Sequence, residues 1–390
     1  MTSRSSPSHA SVASDEIGER ILRAWHEETL LLPLGGKGRP RRLPGQPERS
    51  LLAGLGGGAH VELLGTGETF AAWHLRASDG AELLVRVPWH EPAHPLADEL
   101  AALTQLPPGV GPEPVALRED SGSSPLDVPY LVTTPVPGRI LPPSAWTRAH
   151  LLAHADSLAR LHRVTAPGRG PVSLGVYPWE RTSGARLSLL ELFTAETQHV
   201  DSGVLDLIGG AGLLRAAEQA LRSTDSAFAD LEGFVLSHGD LCATNIVWEG
   251  TPRDPRPRYI DFEWAMADDP ARDLAIIGGP VHGGPWYVPL TDEDIAALLD
   301  RYLHARTQLD EASDLPRFEG QAPLRPAPTL DAAGLRTRRD AWEIYEKTAM
   351  LLHVAGRAVG SAGGDSTGTD LYRAALPPLR STLSALLGVE

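Results

Sequence analysis

Ser237-His238-Gly239-Asp240-Leu241-Cys242-Ala243-Thr244-Asn245 and, a short stretch later, Tyr259-Ile260-Asp261-Phe262-Glu263 decide how this chain is read. They supply an Asp, an Asn five residues on and a second Asp after a break, each beside an apolar run. A phosphoryl-transfer site needs such a set: one carboxylate to orient a hydroxyl, an amide and a carboxylate to hold magnesium. The pattern is H-x-D-x-x-x-x-N followed by D-F-x. Alone, His-Gly-Asp would favour an Asx turn; Asn245 and Asp261 at this spacing select the chemical reading. Asp240 is the candidate base. Asn245 and Asp261 are hard oxygen donors suited to Mg2+. Ile246-Val247-Trp248 and Arg258-Tyr259-Ile260 read as two strands turning through Gly250 to Pro257, a hairpin that puts Asn245 and Asp261 at the same end. His238 is expected to brace the loop, and Cys242 to be a small loop residue, no base for a thiol being evident.

A chain of 390 residues with 42% hydrophobic and 22% charged residues is expected to be globular, soluble and divided into two lobes. No apolar run reaches membrane-spanning length, and the start MTSRSSPSHASVASDE lacks a signal-peptide core, so a cytoplasmic location is expected. The single cysteine, Cys242, excludes an intrachain disulfide and a cysteine metal cluster. A formal charge of −15 disfavours nucleic acid or an anionic membrane as partner. It would suit a cationic substrate, although acidity by itself also keeps a protein soluble.

Around the motif the texture changes along the chain. Residues 1–14 are Ser-rich and expected to be disordered, and Asp15 to about Leu34 reads as an amphipathic helix. Gly35 to Ser50 is a basic Gly/Pro/Arg loop without the Walker spacing. Strands are expected at His60–Leu64, Phe70–Leu75, Leu83–Val87 and Tyr130–Thr133, with a helix at Leu96–Leu106. After Thr134-Pro135-Val136-Pro137-Gly138 helices dominate: Ala149–Val164, Leu187–Thr197, Leu213–Arg222, Thr291–Arg306 and Arg336–Val359. Thr291 suits an N-cap, and so does Asp269 before Pro270; Asp269 and Asp273 are assigned mainly to structure. Thr307 to Gly334 is a long Pro-rich loop. Asp292, Glu293, Asp294, Glu343 and Glu346 are expected to cover solvated helix faces, contact with a cationic substrate being the alternative. The resulting divisions are an N-terminal extension over 1–45, a nucleotide-binding lobe over 46–135 and a catalytic lobe over 136–390.

Three further features bear on a nucleotide. Gly65 and Gly67 lie between two strands, where backbone N–H groups can approach phosphates or simply form a hairpin turn. Gly54-Leu55-Gly56-Gly57-Gly58-Ala59 precedes a strand rather than following one, which breaks the dinucleotide-binding context. Arg86, on the third strand, puts a cation where the α- and β-phosphates need one, with Glu99 as its helical partner and Asp98 the near alternative. Glu263 is placed to face the substrate or the magnesium shell.

On LSHGDLCATNIVW, YIDFEWA and DDPARDLA, the chain resembles the aminoglycoside phosphotransferase family from about Val61 to Ile277. The resemblance implies an α+β, bilobal protein-kinase-like fold with a small β-rich N-lobe and a larger, mostly helical C-lobe. It implies ATP and Mg2+, the base role for Asp240, metal roles for Asn245 and Asp261, and nucleotide-phosphate contacts from Arg86 with Glu99. Adenine would bond the backbone near Thr133 to Val136, with Thr134 and Val136 as the carriers. By analogy with the family, the 307–334 segment and the helix holding Trp342, Tyr345 and Glu346 border the acceptor pocket. Arg86 stands where the kinase pattern has Lys, and Gly239 where it has Arg; no A-P-E follows the metal loop. The last two departures point to a small-molecule kinase rather than a regulated protein kinase. The expected partner is a small hydroxylated molecule, an aminoglycoside or related antibiotic first. A metabolic kinase of an amine alcohol or a sugar, and a nucleotide-binding pseudokinase scaffold, are the alternatives.

Overall fold

A computed structural model describes residues 9–31, 58–166, 168–172, 188–229, 231, 233–311, 331–360 and 366–389. The chain has an α+β fold with a β-rich N-terminal unit and a helical C-terminal one. Contacts divide it into one unit of residues 1–105 with 111–136 and another of 106–110 with 137–390. The Gly/Pro/Arg loop at 35–50, residues 54–57 and residues 312–330 lie outside the described residues. No helix among the described residues is long and apolar enough to cross a membrane.

The first unit contains α1 (His9–His26), β1 (Ala59–Thr66), β2 (Phe70–Ala77), β3 (Glu82–Pro88), α2 (Leu96–Leu103), β4 (Pro114–Arg118) and β5 (Tyr130–Thr133). Its strands form one antiparallel sheet in the order β1-β2-β3-β5-β4. Inward residues Trp73, Leu75, Val85, Tyr130 and Val132 meet Ile21, Trp25 and Leu30 in one core. The N-terminal segment therefore belongs to the sheet's core rather than standing outside it. Tyr130 Oη donates to the Leu30 carbonyl at 2.8 Å, and Arg20 donates to the Leu126 carbonyl at 2.8 Å. Burial pushes the Tyr130 phenol up to about 12, so the hydroxyl stays a donor.

Two expectations need correction here. The first helix starts earlier than Asp15, at His9, so the Ser-rich start is helical over 9–14; it also stops earlier, at His26, and Glu28 turns the chain with φ 58°. No strand was expected over β4, whose short Val115-Ala116-Leu117 core lies between Pro114 and Arg118 and is organised by pairing with β5.

The second unit runs β6 (Arg139–Ile140), α3 (Arg148–Leu161), β7 (Thr165–Ala166), β8 (Gly170–Pro171), α4 (Leu189–Thr197), α5 (Ser202–Ile208), α6 (Ala211–Thr224), β9 (Phe234–Ser237), β10 (Ile246–Thr251), β11 (Asp254–Tyr259), β12 (Met266–Asp268), α7 (Pro270–Ile276), β13 (Gly278–Gly279), β14 (Val288–Pro289), α8 (Asp292–Glu311), α9 (Ala332–Gly360) and α10 (Ser366–Leu387). Three small sheets, β11-β10-β6, β7-β9-β12-β8 and β13-β14, lie among the helices. The β10–β11 turn is tighter than the expected Gly250–Pro257 connection: Thr251 already pairs with Asp254. Gly250 makes this possible with φ 88°, since a Cβ there would collide with the Asp254 carbonyl.

Asp269 and Thr291 do act as N-caps. Asp269 accepts from Ala271 N at 3.0 Å, and Thr291 Oγ1 accepts from Asp294 N at 3.2 Å while Asp294 accepts from Thr291 N at 3.1 Å. The expected 307–334 loop is shorter than the sequence suggests, because α8 continues through Glu311 and α9 begins at Ala332. No helix was read over α10, whose Pro377 and Pro378 remove two backbone donors. Burial of Leu376, Leu379 and Leu383 offsets that loss.

The Tyr130–Leu30 bond ties the N-terminal helix to the sheet, so Tyr130→Phe should cost about 1–3 kcal/mol by leaving a carbonyl unpaired. Urea unfolding followed by tryptophan fluorescence reads this loss, with Tyr259→Phe in the other unit as a comparison.

Candidate phosphotransfer site

The candidate catalytic loop leaves β9 at Ser237 and is fixed from below by Asp273 on α7. This fully buried carboxylate accepts from Ser237 Oγ at 2.9 Å, His238 N at 2.8 Å, Gly239 N at 3.1 Å and His162 Nε2 at 3.1 Å. Burial alone would raise its pKa. The hydrogen bonds from His162 and from the His238 backbone oppose that and hold it below the ordinary carboxylate range. His162 is itself oriented by Tyr302, whose hydroxyl lies 2.9 Å from Nδ1. Asp273 does fulfil the structural role the sequence suggested, but the structure it supports is the catalytic loop itself.

Gly239 follows in the left-handed region at φ 80°, pressed against Trp264, and a Cβ there would collide with the Trp264 carbonyl. His238 Nε2 donates to the Ile260 carbonyl at 2.9 Å, and its ring lies 4.4 Å from that of Phe262. Burial lowers its pKa, so the neutral imidazole braces the two loops together.

Asp240 and Asn245 meet directly. Asn245 Nδ2 donates to the Asp240 carbonyl at 2.7 Å and to Asp240 Oδ2 at 3.0 Å. With its amide nitrogen committed in this way, Asn245 keeps Oδ1 as its donor atom toward a cation. Ile246 pairs with Tyr259, and Ile260 N donates to the Asn245 carbonyl at 3.0 Å, which brings Asn245 and Asp261 to the same end of the hairpin. Asp261 is one of few non-glycine residues with positive φ, at 68°. That conformation costs about 1–2 kcal/mol, least for Asp and Asn. The Asp240 carboxyl is pushed up to about 7, first by burial, then by the charges of Asp261 and Glu346; the Asn245 hydrogen bond and Arg272 oppose the shift.

The oxygen set of Asn245 and Asp261 fits a cation that keeps water and phosphate ligands. Among the described residues no group of three or more His, Cys, Asp or Glu forms a metal cage of its own. Cys242 is buried against Thr244 Oγ1 at 3.0 Å, and burial raises its thiol well above the ordinary range, so it stays protonated.

Helix α9 supports this floor. Glu343 is 2% exposed, which corrects the expectation that it covers a solvated helix face, and Lys347 on the same face is 0% exposed. Glu343 pairs with Arg339 and accepts from Val281 N at 3.2 Å; Arg339 also donates to the Gly278 carbonyl. Lys347 Nζ caps the end of α7 through the carbonyls of Ala275 and Ile276, at 3.3 and 2.8 Å, and sits 3.5 Å above the Tyr287 ring. Burial lowers the Lys347 pKa to about 8, with the charge of Glu343 opposing. Glu346 holds Arg272 at 2.7 Å, and Tyr345 Oη donates to Glu196 at 2.8 Å. Asp292 and Glu293 are largely exposed, as expected.

In the first unit, Arg86 of β3 pairs with Glu99 of α2, both buried, and the guanidinium lies 4.4 Å from the Phe70 ring centroid. Of the two acids considered, Glu99 is the one that meets Arg86. Gly67 N donates to the Phe70 carbonyl at 2.7 Å, and Gly65 stands opposite Ala72 beside a bulge. The Gly67 N–H is therefore spent on the hairpin turn. Thr134 is likewise fastened to Glu113, its N–H donating to the Glu113 carbonyl at 2.9 Å and its hydroxyl accepting from Glu113 N at 2.9 Å. An adenine in this segment would be left with the Thr134 carbonyl and Val136 rather than the Thr134 N–H. A cavity of about 950 Å³ among α5, the end of α9 and α10 is lined by Leu207, Val359, Arg373 and Arg380, with none of the candidate site residues in its wall.

Because the folded-state pKa of Asp273 lies below its unfolded value near 3.8, its share of stability is present above that pH. It is lost as pH falls below about 4. Asp273→Asn should lower the denaturation midpoint at pH 7 and flatten the acid limb of a stability–pH curve; an unchanged limb would contradict the clamp.

The phosphotransferase enzyme family model APH matches residues 60–316. No curated protein sequence matches the chain. Among solved structures, a Plasmodium vivax ethanolamine kinase aligns with a TM-score of 0.51 at 13% identity, over 85% of this chain and 82% of that one. The GDP and kanamycin complex of APH(2")-IIia aligns with a TM-score of 0.49 at 18% identity, over 84% and 92%. The macrolide 2'-phosphotransferase MphH from Brachybacterium faecium aligns with a TM-score of 0.45 at 18% identity, over 82% and 92%. Spanning about two thirds of the chain, and containing both halves of the Asp240–Asp261 motif, the family match makes this protein a member of the APH phosphotransferase family.

Proposed function

We propose that the protein transfers the γ-phosphate of ATP, with Mg2+, to a hydroxyl of a small polar molecule that carries an amine, an aminoglycoside or related antibiotic being the first class to examine. The observation that carries the reading is the direct bond between Asp240 and Asn245, with Asp261 at the same hairpin end. Asp240 would accept the hydrogen bond of the acceptor hydroxyl and turn its oxygen toward the γ-phosphorus. The same carboxylate oxygen can also take the hydroxyl proton late in the transfer. Asn245 Oδ1 and the Asp261 carboxylate would hold Mg2+, which when bound neutralises phosphate charge. Arg86, kept in place by Glu99, would meet the nucleotide phosphates.

An amine on the acceptor suits the charge around Asp240. Asp240, Asp261 and Glu346 repel one another, and Glu196 is raised by burial and by the charge of Glu346. Arg272, a cation among these groups, is already engaged by Asp268 and Glu346. The intact Asp240–Asn245–Asp261 set argues against a scaffold that only binds nucleotide.

Transfer from ATP should be measured over a panel of aminoglycosides, macrolides, amine alcohols and sugars. Asp240→Asn is expected to reduce turnover about 10²–10⁴-fold while Mg-ATP still binds by calorimetry. Failure of the wild-type protein both to bind Mg-ATP and to phosphorylate any acceptor would sink the proposal. Arg86→Ala should raise the KM for ATP about 10–100-fold, the range for losing a charge-assisted contact, with Arg86→Lys recovering part of it. An unchanged KM for ATP in both variants would remove Arg86 from the phosphate role.

A further inference from the structure

The cavity among α5, the end of α9 and α10 lies apart from the candidate phosphotransfer residues and has a chemistry of its own. A stripe of α10 forms one wall, with Arg373, Leu376, Arg380 and Ser384 lining it. They follow at intervals of three, four and four residues, so they share one face of the helix. The two arginines stand about 10 Å apart along its axis. Leu207 of α5 and Val359 of α9 complete the lining. These two are 39% and 40% exposed, so the cavity presents apolar surface that the fold itself leaves uncovered.

The arginines distinguish this wall from the rest of the unit. The chain carries a formal charge of −15, and Arg272, Arg301, Arg336 and Arg339 each meet a carboxylate. Arg373 and Arg380 have neither an ion pair nor a hydrogen bond among the described residues. Asp206, an acid in the same wall, is exposed and pairs with neither. Arg380 is nevertheless seated. Its guanidinium lies against Gly209, which ends α5 in the left-handed region at φ 88°. A Cβ on Gly209 would stand 2.9, 3.0 and 3.1 Å from Cζ, Nη2 and Nε of that guanidinium. Such nearly equal distances mean that the flat face meets the glycine. The N–H donors lie in the plane of the group, so its edge is left for an acceptor. A planar fork of N–H groups matches a carboxylate or a phosphate best.

We propose that this cavity binds a small anionic amphiphile, a carboxylate or phosphate group on an alkyl body. The anion would sit on the N–H edge of Arg380, with Arg373 adding to the positive field, and the alkyl body would cover Leu376, Leu207 and Val359. A dissolved molecule fits better than a bilayer. The net charge of −15 repels an anionic surface, and the arginines line a recess between helices. The site needs nothing from the phosphotransfer reading.

Calorimetry on the full-length protein tests this with octanoate, against 1-octanol, octyltrimethylammonium and butanoate. Octanoate should bind one to one, and at least about tenfold more tightly than the alcohol or the cation, which cannot accept the charge-assisted hydrogen bonds. It should also exceed butanoate by at least about tenfold, since butanoate buries four fewer methylenes. Arg380→Gln should weaken octanoate by about tenfold or more, and Arg380→Lys should recover part of that loss, keeping the charge without the planar fork. Leu207→Glu should abolish binding by placing a like charge in the recess. Both positions are exposed, so these variants keep the fold. Equal binding of octanoate and octanol would overturn the proposal, as would an octanoate affinity unchanged in both Arg380→Gln and Leu207→Glu. Co-sedimentation with vesicles of phosphatidylglycerol and phosphatidylcholine, without octanoate binding at millimolar concentration, would overturn it in favour of a lipid surface.

Discussion

One buried carboxylate organises the phosphotransfer site. Asp273 accepts two backbone N–H groups, a serine hydroxyl and an imidazole N–H, and so converts a strand end and a helix into a single support for the catalytic loop. A charge without access to water survives only if its hydrogen-bonding capacity is filled, and here four donors fill it. The constraint spreads outward. His162 must present Nε2 to Asp273, which leaves Nδ1 for Tyr302 and ties α3 to α8. The loop then reaches Asp240 over a glycine pressed against Trp264.

Helix α9 continues this support on the opposite side. Arg339, Glu343 and Lys347 recur every four residues on one face, and all three are enclosed. They bind backbone carbonyls and an N–H in the segment from Ala275 to Val281, so the end of α7 and the strand after it are held by side chains rather than by a long sheet. Buried charges of this kind add little net stability, because desolvation offsets most of the attraction. They do restrict the segment to one arrangement, since any other would leave a charge unpaired in the interior. The order of the loop beside Asp240 therefore depends on polar matching more than on apolar area.

Much of this was legible in the chain because local signals agreed with the tertiary structure. Apolar alternation located β1, β2, β3 and β5, and the Asp240, Asn245 and Asp261 spacing located the hairpin and its shared end. Arg86 and Glu99 could be paired because a strand cation and a helix acid in that order have few other ways to meet. What escaped was decided at a distance. Nothing near Glu343 announces that it will be enclosed; a helix rich in acids and arginines reads as a wet surface until its partner, Arg339, is seen to be buried beside it. The α10 helix escaped because Pro377 and Pro378 speak against it locally, while its apolar face speaks for it only once α9 is in place. Asp273 looked like an ordinary helix residue, and its four donors come from two stretches of sequence far from it, His162 and Ser237 to Gly239.

Gly239 carries a consequence for how such an enzyme can be governed. The space where a side chain would project is already filled by the Trp264 backbone, and the left-handed conformation excludes most side chains regardless of room. A basic residue cannot be introduced there by a point change without first moving the segment after Asp261. The loop thus has no short mutational route toward an enzyme held idle until a modified segment docks on it.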